Sequence, residues 1–158
     1  MRKIQIELKW AVIFTIAILL WILLEKTMGW HEANLANHYW LTLLFVPFAI
    51  LLYLLCMREK RRRVYDRKMT WRQGFLSGLT LTIFITLLSP LAQYITHNYI
   101  TPEYFNNVIE YSVTNDLMTR KNANEYFNID SYILQSAIGA FGLGIGTAAI
   151  VAFFVRKK

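Results

Sequence analysis

The 158-residue sequence is poor in the residues and motifs that enzymes use. It has one cysteine, Cys56, and therefore no disulfide within the chain. It lacks a glycine-rich phosphate loop, a nucleophile elbow, a His-Glu-x-x-His helix and a Cys-x-x-Cys pair. Charged residues make up only 17% of the chain and are clustered. Because catalysis needs a positioned acid, base or metal, we expect neither an enzyme nor a bound cofactor or metal ion.

Long runs without charge are what the sequence does contain. Four stretches have no Asp, Glu, Lys or Arg: Trp10–Leu24, Ala33–Met57, Gln73–Tyr99 and Ser131–Val155. A membrane-spanning helix needs about 20 apolar residues. The last three runs suffice, and the first does if Lys9, Glu25 and Lys26 extend their charged ends to the membrane surfaces. A soluble bundle would need polar helix faces, which these runs lack. The sequence therefore predicts four transmembrane helices, at about 8–28, 39–57, 71–96 and 131–155.

The most basic part of the chain lies between the second and third of these spans. Its eight cationic residues are Arg58, Lys60, Arg61, Arg62, Arg63, Arg67, Lys68 and Arg72. Both termini are basic as well, whereas seven of the ten acidic residues fall in the two opposite connections. Positively charged loops stay on the cytoplasmic side of a membrane. We therefore expect a cytoplasmic loop at 58–70, both termini in the cytoplasm, and no binding of nucleic acid.

Small and hydroxyl residues recur at every fourth position of the last two spans. The third span carries Gly74, Gly78, Thr82 and Thr86, and the fourth carries Ser136, Ala140, Gly144 and Ala148. Residues four apart lie on one face of a helix, and small faces allow two helices to approach closely. The simplest pairing joins the two stripes within the chain. The alternative places one of them against a membrane-protein partner or a second copy of the chain.

The connection 97–130 is too long for an unstructured loop in a compact domain. Thr101-Pro102-Glu103 is typical of a helix start, and Thr119 is predicted to cap a second short helix that reaches Tyr126. We therefore expect a helical hairpin outside the membrane, between the third and fourth helices. The predicted fold is an all-α membrane protein, a four-transmembrane-helix bundle with this extracytoplasmic hairpin, forming a single domain over residues 1–158.

Two prolines and three histidines are the remaining special residues. Pro47 and Pro90 predict bends in the second and third spans. All three histidines, His31, His38 and His97, are predicted on the side opposite the basic loop. Their spacing matches no compact zinc motif, so we predict no metal site. No ionisable residue is predicted deep within a span.

Several stretches are similar to a known family. They are Lys68–Gly78, Leu88–Tyr94, Ile100–Ser112, Tyr126-Phe127-Asn128 and the glycine-rich last span ending in Arg156-Lys157-Lys158. In these the chain resembles a family of small four-pass proteins of Bacteroidota inner membranes, catalogued as domain of unknown function 4199. The resemblance implies a bacterial inner (cytoplasmic) membrane. It implies no catalytic or binding residues.

Two functions are compatible with these features. The first is a structural or accessory protein that acts through helix contacts and its hairpin, in a lipid bilayer and with a membrane-protein partner or a second copy. The alternative is a small transporter or channel for an ion, a lipid or a hydrophobic solute, because bent helices often line substrate sites. A continuous polar cavity would favour this alternative. Its expected lining residues are Thr82, Thr86, Gln93 and Gln135.

Overall fold

A computed structural model describes residues 4–31 and 38–157, apart from the side chains of His38 and Tyr39. Its α-helices within those residues are α1 (Gln5–Thr27), α2 (His38–Leu41), α3 (Val46–Val64), α4 (Trp71–Ile95), α5 (Tyr104–Thr114), α6 (Arg120–Tyr126) and α7 (Ile129–Val155). Thr42–Phe45 is a 3₁₀ turn that leads into α3, and Thr96–Ile100 is a π-helical turn that follows α4.

Four helical segments are long and apolar enough to cross a membrane. They are Gln5–Thr27, Thr42–Val64, Trp71–Ile100 and Ile129–Val155. The predicted all-α, four-span architecture is therefore confirmed. We call the end of the bundle where α3 turns into α4 the basic end. The opposite end, where α5 and α6 form a hairpin between α4 and α7, is the hairpin end.

The predicted loop 58–70 is wrong in its first half. The structure continues α3 to Val64, so Arg58–Val64 forms the last two turns of that helix. Lys, Arg and Glu have high helix propensity, and cations in a last turn interact favourably with the negative end of the helix dipole. The remaining loop is a short turn, in which Asp66 (φ 46°) and Arg67 (φ 66°) are left-handed.

Pro47 does not lie in mid-span as expected, whereas Pro90 lies inside its helix, near the end of the third span where a bend was predicted. Pro47 lies in the first turn of α3, directly after the 3₁₀ turn, where its missing N–H removes no helical hydrogen bond. Pro90 lies inside α4, which continues to Ile95 before it widens into the π-helical turn. Both irregular turns lie at the hairpin end.

The two small-residue stripes face each other between α4 and α7. A Cβ added at Gly78 would lie 2.6 Å from Ala148 Cβ, and one added at Gly144 would lie 2.4 Å from Thr82 Cγ2. Both distances are far below the about 3.5 Å of a carbon–carbon contact. The antiparallel register pairs Gly74 with Ala152 in the same way. The pairing is thus made within one chain.

The hairpin follows the predicted outline, with one change at the start of α5. Thr119 caps α6 by accepting a hydrogen bond from Asn122 N–H (3.3 Å), as predicted. Thr101 does not cap α5, since that helix begins at Tyr104. The cap of α7 is Asn128, whose side chain accepts from Ser131 N–H (2.9 Å), because its extended backbone places the amide oxygen over the first turn.

Candidate functional site

A cavity of about 380 Å³ lies between α1, α3, α4 and α7, in the half of the bundle nearer the hairpin. Its walls are mainly Ile, Leu, Phe, Val and Ala side chains. The polar residues among them are Thr15, Thr42, Tyr53, Ser89, Gln93, Thr96, Ser136 and Thr147. This volume is in the range of small-molecule sites, which are likewise mostly apolar with a few placed polar groups.

A hydrogen-bonded pair closes the cavity towards the basic end. Tyr53 Oη and Thr82 Oγ1 lie 2.9 Å apart, and Thr82 Oγ1 donates to Gly78 O at 2.9 Å. The tyrosine hydroxyl is therefore the donor to Thr82. Beyond this pair the core is solid, with Met57 and Ala148 fully buried.

A smaller polar cavity of about 130 Å³ adjoins the first at the hairpin end. The two share Ile22, Thr42, Gln93 and Thr96 in their walls. The remaining lining residues of the smaller cavity are Glu25, His31, His97, Thr101, Tyr104 and Tyr132. An apolar compartment thus adjoins a compartment rich in hydrogen-bonding groups.

The end of α1 brings Glu25 and His31 together. Gly29 adopts φ 72°, a left-handed conformation that favours glycine. Trp30 N–H then donates to Glu25 O (3.0 Å) and Gly29 N–H to Lys26 O (2.9 Å), which together form a Schellman motif. This reversal of the chain places His31 Nε2 3.2 Å from Glu25 Oε2.

Glu25 is buried, contrary to the expectation that its carboxylate extends to the membrane surface. Its side chain is 2% exposed and that of His31 is 6% exposed. Trp21 Nε1 donates to Glu25 Oε1 at 2.7 Å. Because Trp21 precedes Glu25 by one helical turn, the two side chains lie on the same face of α1. That spacing was the available signal for a buried carboxylate.

His97 stands opposite this pair, among aromatic rings. Its Nε2 lies 3.0 Å from Gln93 Oε1, and its ring stacks on Phe105 with centroids 4.2 Å apart. Tyr104 lies between the histidines, with its centroid 5.3 Å from His31 and 5.5 Å from His97. Burial raises the pKa of Tyr104, despite a hydrogen bond with Tyr132 that lowers it. Tyr104 is therefore a neutral hydroxyl at this site.

Three buried polar atoms at this end have no hydrogen-bond partner among the described residues. They are Thr96 Oγ1, His97 Nδ1 and Thr101 Oγ1. All three residues line the smaller cavity. A buried polar group without a partner costs about 1–3 kcal/mol, so a molecule that bonds these atoms would be bound with that advantage.

The histidines do not assemble a metal centre within the described part of the chain. Residues 4–31 and 38–157 contain no group of three or more His, Cys, Asp or Glu that could hold a metal ion. The side chains of Glu32 and His38 lie outside the described residues.

At the basic end, the structure buries an ion pair that sequence reasoning missed. Lys60 Nζ lies 2.7 Å from Glu7 Oε1, and Ser77 Oγ donates to the same oxygen at 2.6 Å. Glu7 is 1% exposed and Lys60 5% exposed. Lys60 was predicted as a loop residue, and Glu7 precedes the predicted first span. Neither residue is therefore predicted from the sequence to be a buried charge.

The other predicted residues separate into three groups. Ser136, Ala140 and Gly144 line the larger cavity. Gly74, Gly78, Thr82 and Ala148 lie in the packed contact, to which Gly144 belongs as well. Thr86 and Gln135 do not line the cavity, so the polar cavity expected from Thr82, Thr86, Gln93 and Gln135 contains Gln93 alone of these four. Of the eight cationic residues predicted to determine the topology, six are exposed: Arg58, Arg62, Arg63, Arg67, Lys68 and Arg72. Arg61 is half-buried.

Comparison with known proteins identifies one family. The family model described as "Protein of unknown function (DUF4199)" matches residues 9–157, which confirms the resemblance seen in the sequence. No curated protein and no solved structure matches the chain.

Proposed function

Since the chain belongs to the DUF4199 family, whose description names no activity, we propose from its geometry that it is a non-enzymatic accessory protein of a bacterial inner membrane that binds one amphipathic molecule inside its helical bundle. The pair of adjoining cavities, one apolar and one polar, carries this proposal. The four apolar spans make the membrane its setting.

The larger cavity fits the apolar part of such a molecule. Its walls include small residues at Ala49, Ala92 and Ala140, which leave space where larger side chains would fill the bundle. Leu43 and Leu143, from opposite sides of the cavity, are both exposed. The cavity therefore borders the outer surface of the bundle, which would face lipid.

The smaller cavity fits the polar part. Thr96, Thr101 and His97 offer buried atoms that have no partner in the described part of the chain, and the Glu25–His31 pair supplies charge or strong hydrogen bonds. A hydroxyl, amide or amine on the ligand would satisfy these groups. A purely apolar molecule would leave them unpaired, which is unfavourable in a buried site.

The test is recovery of a stoichiometric small molecule with the purified protein. We expect native mass spectrometry of the protein, released from detergent, to show a bound species in the wild type. Ala140→Leu places a larger side chain in the cavity and should abolish this species. Gly146→Leu on the same helix is the control, because nothing lies within 4 Å of a Cβ there. A bare protein in every sample, or a species retained by Ala140→Leu, would contradict the proposal.

Transport of the same class of molecule is the second candidate. The observation that favours it is the pair of irregular turns, 3₁₀ at Thr42–Phe45 and π at Thr96–Ile100, both of which border the cavities. Irregular helical turns often occur at functional sites, and broken helices line substrate sites in transporters. Flux of the recovered molecule into proteoliposomes, lost in Ala140→Leu, would establish transport. Binding without flux would leave the accessory role.

The proposed orientation has the basic end and both termini in the cytoplasm and the hairpin outside. The clustering of Lys and Arg at the basic end supports it. In a Cys56→Ala background, Asn115→Cys should react with a membrane-impermeant maleimide in intact cells, whereas Arg63→Cys should react only after lysis. The reverse pattern would overturn the orientation.

Contacts with a partner would use surface that the α4–α7 pairing leaves free. Gly139, Gly142 and Gly146 have no neighbour within 4 Å of an added Cβ. Small residues on an open helix face allow another helix to approach. Cross-linking in native membranes should therefore join this face to a membrane-protein partner or a second copy, and a strictly monomeric protein without partners would contradict the contact.

A further inference from the structure

Four cationic side chains from three parts of the chain line one surface concavity at the basic end. Its volume is about 430 Å³ and its lining residues are Arg61, Arg62, Arg67 and Lys157. Arg61 and Arg62 belong to the end of α3, Arg67 to the following turn, and Lys157 to the segment after α7. No carboxylate of the described residues is among them.

Backbone hydrogen bonds hold these segments together. Met69 and Lys157 form an isolated antiparallel bridge, with N–H···O distances of 2.9 and 2.8 Å. Arg67 N–H donates to Arg61 O at 2.9 Å, which folds the turn back on α3. The turn requires left-handed φ angles at Asp66 and Arg67 in succession. Such a conformation is unfavourable for arginine, so the surrounding hydrogen bonds must hold the backbone at Arg67 in place.

Arg61 is the fixed member of the group. Its Nη1 donates to Val155 O at 2.6 Å, which anchors the guanidinium to the end of α7. Its Nε is buried and has no acceptor among the described residues. A guanidinium presents its donors in a planar fork that suits the oxygens of a phosphate.

Topology alone does not account for this convergence. Retention of a loop in the cytoplasm depends on how many Lys and Arg it carries, not on their meeting in one concavity. Arg58 and Arg72, for example, contribute positive charge to that retention although they are exposed and lie outside the concavity. Because like charges in close proximity repel, an anion would relieve the repulsion. We propose that this concavity binds a phosphoryl group, through Arg61, Arg62, Arg67 and Lys157.

Two sources could supply that group. The site lies where the apolar spans end, at the level where the phosphates of anionic lipids lie, and Lys and Arg there attract such lipids. A free phosphate compound in solution presents the same oxygens. The proposal is independent of the bundle cavities, which lie towards the opposite end of the molecule.

The test compares lipid binding by two variants of equal net charge. Purified protein in detergent is titrated with phosphatidylglycerol, with phosphatidylcholine as the neutral-headgroup control, and bound lipid is counted by native mass spectrometry. Arg62→Gln/Lys157→Gln should weaken phosphatidylglycerol binding at least about tenfold, because it removes two charge-assisted hydrogen bonds to the phosphoryl oxygens that residues outside the concavity do not make. Arg58→Gln/Arg72→Gln should stay within about twofold of the wild type.

A second arm distinguishes the source. Inorganic pyrophosphate, titrated in the absence of lipid and followed by calorimetry, should bind the wild type if the ligand is a free phosphate compound. It should not bind if the site requires a lipid. Arg67→Gln, with Lys68→Gln as its neighbour and control, provides a second comparison if the double variant fails to fold. Equal losses in a pair of variants, or binding of neither phosphatidylglycerol nor pyrophosphate, would overturn the site.

Discussion

The two halves of the bundle bury their polar groups in opposite ways. Towards the basic end, Glu7 has Lys60 and Ser77 as partners, and the helices around them are in close contact. Towards the hairpin end, Glu25 has Trp21 and His31, but the hydroxyls of Thr96 and Thr101 have no partner among the described residues. Both line the smaller cavity, and Thr96 lines the larger one as well. One half is built for contact between helices, whereas the other retains room and hydrogen-bonding capacity for another molecule.

The comparison teaches that a buried charge is not in itself a functional site. Both ends of α1 bury a glutamate, yet only the second borders space. The two glutamates differ in whether the polar groups around them have hydrogen-bond partners among the described residues. The four predictions below test that distinction, from the largest expected effect to the smallest.

Lys60→Met should have the largest effect on stability. It leaves the Glu7 carboxylate buried without its cation, and breaking a buried pair in this way costs about 3–5 kcal/mol. The free energy of unfolding, measured by titration of detergent-solubilised protein with SDS, should fall by that amount. Glu7→Gln/Lys60→Met should recover most of it. A single variant within about 1 kcal/mol of the wild type would show that the pair does not hold this half together.

Gly78→Ala tests the close contact in the same half. Its new methyl group would lie 2.3 Å from Met57 Cε and 2.6 Å from Ala148 Cβ, so the helices must separate. We expect a loss of about 1–3 kcal/mol in the same SDS titration. Gly146→Ala meets no neighbour and should be neutral or stabilising by up to about 1 kcal/mol. Equal effects of the two substitutions would contradict the view that the close approach of α4 and α7 requires glycine at position 78.

Glu25→Gln should lower the free energy of unfolding by less than Lys60→Met or Gly78→Ala does, although Glu25 is as buried as Glu7. The amide keeps the shape and can still bond Trp21 and His31, so the loss is the difference between charge-assisted and neutral hydrogen bonds, about 1 kcal/mol. The bound species in the native mass spectrum should nevertheless be lost or weakened. A loss of stability as large as that of Lys60→Met would erase the difference between the two ends.

Arg120→Gln should have the smallest effect. Its guanidinium donates to both oxygens of Glu110 at 2.9 Å, and this bond lowers the pKa of Glu110. The pair therefore contributes to the free energy of unfolding at pH values above the ordinary pKa of Glu110. It loses this contribution as the pH falls through the lowered pKa. Both groups are exposed, so this contribution is small and the unfolding curves of variant and wild type should nearly coincide at neutral pH. NMR titration should show the pKa of Glu110 rising in the variant.

Features that depend on local spacing could be predicted from the sequence. The four apolar runs, the stripes on α4 and α7 and the cap at Thr119 all follow from periodicity or from a residue type at a fixed offset. The glycine that ends α1 is of the same kind: Gly29 lies one residue beyond the cap. Such signals need no knowledge of which helices become neighbours.

Features that depend on distant pairing could not be predicted. Glu7 and Lys60 meet only because α1 packs beside α3, and no pattern within either helix indicates that contact. The cavity arises because small residues such as Ala92 and Ala140, on different helices, face the same space. Within α1, by contrast, the i,i+4 spacing of Trp21 and Glu25 is a local signal that the two side chains share a helix face, although we expected the Glu25 carboxylate at the membrane surface.

The antiparallel match of α4 with α7 has a consequence for synthesis. Gly74 meets Ala152, a residue that the ribosome adds roughly 80 residues later, at about 5–20 residues per second. For several seconds the glycine face of α4 therefore stands in the membrane without its partner. During that interval the nascent protein depends on lipid or the insertion machinery to cover a surface made for another helix. An unrelated helix with small residues at every fourth position could bind there first.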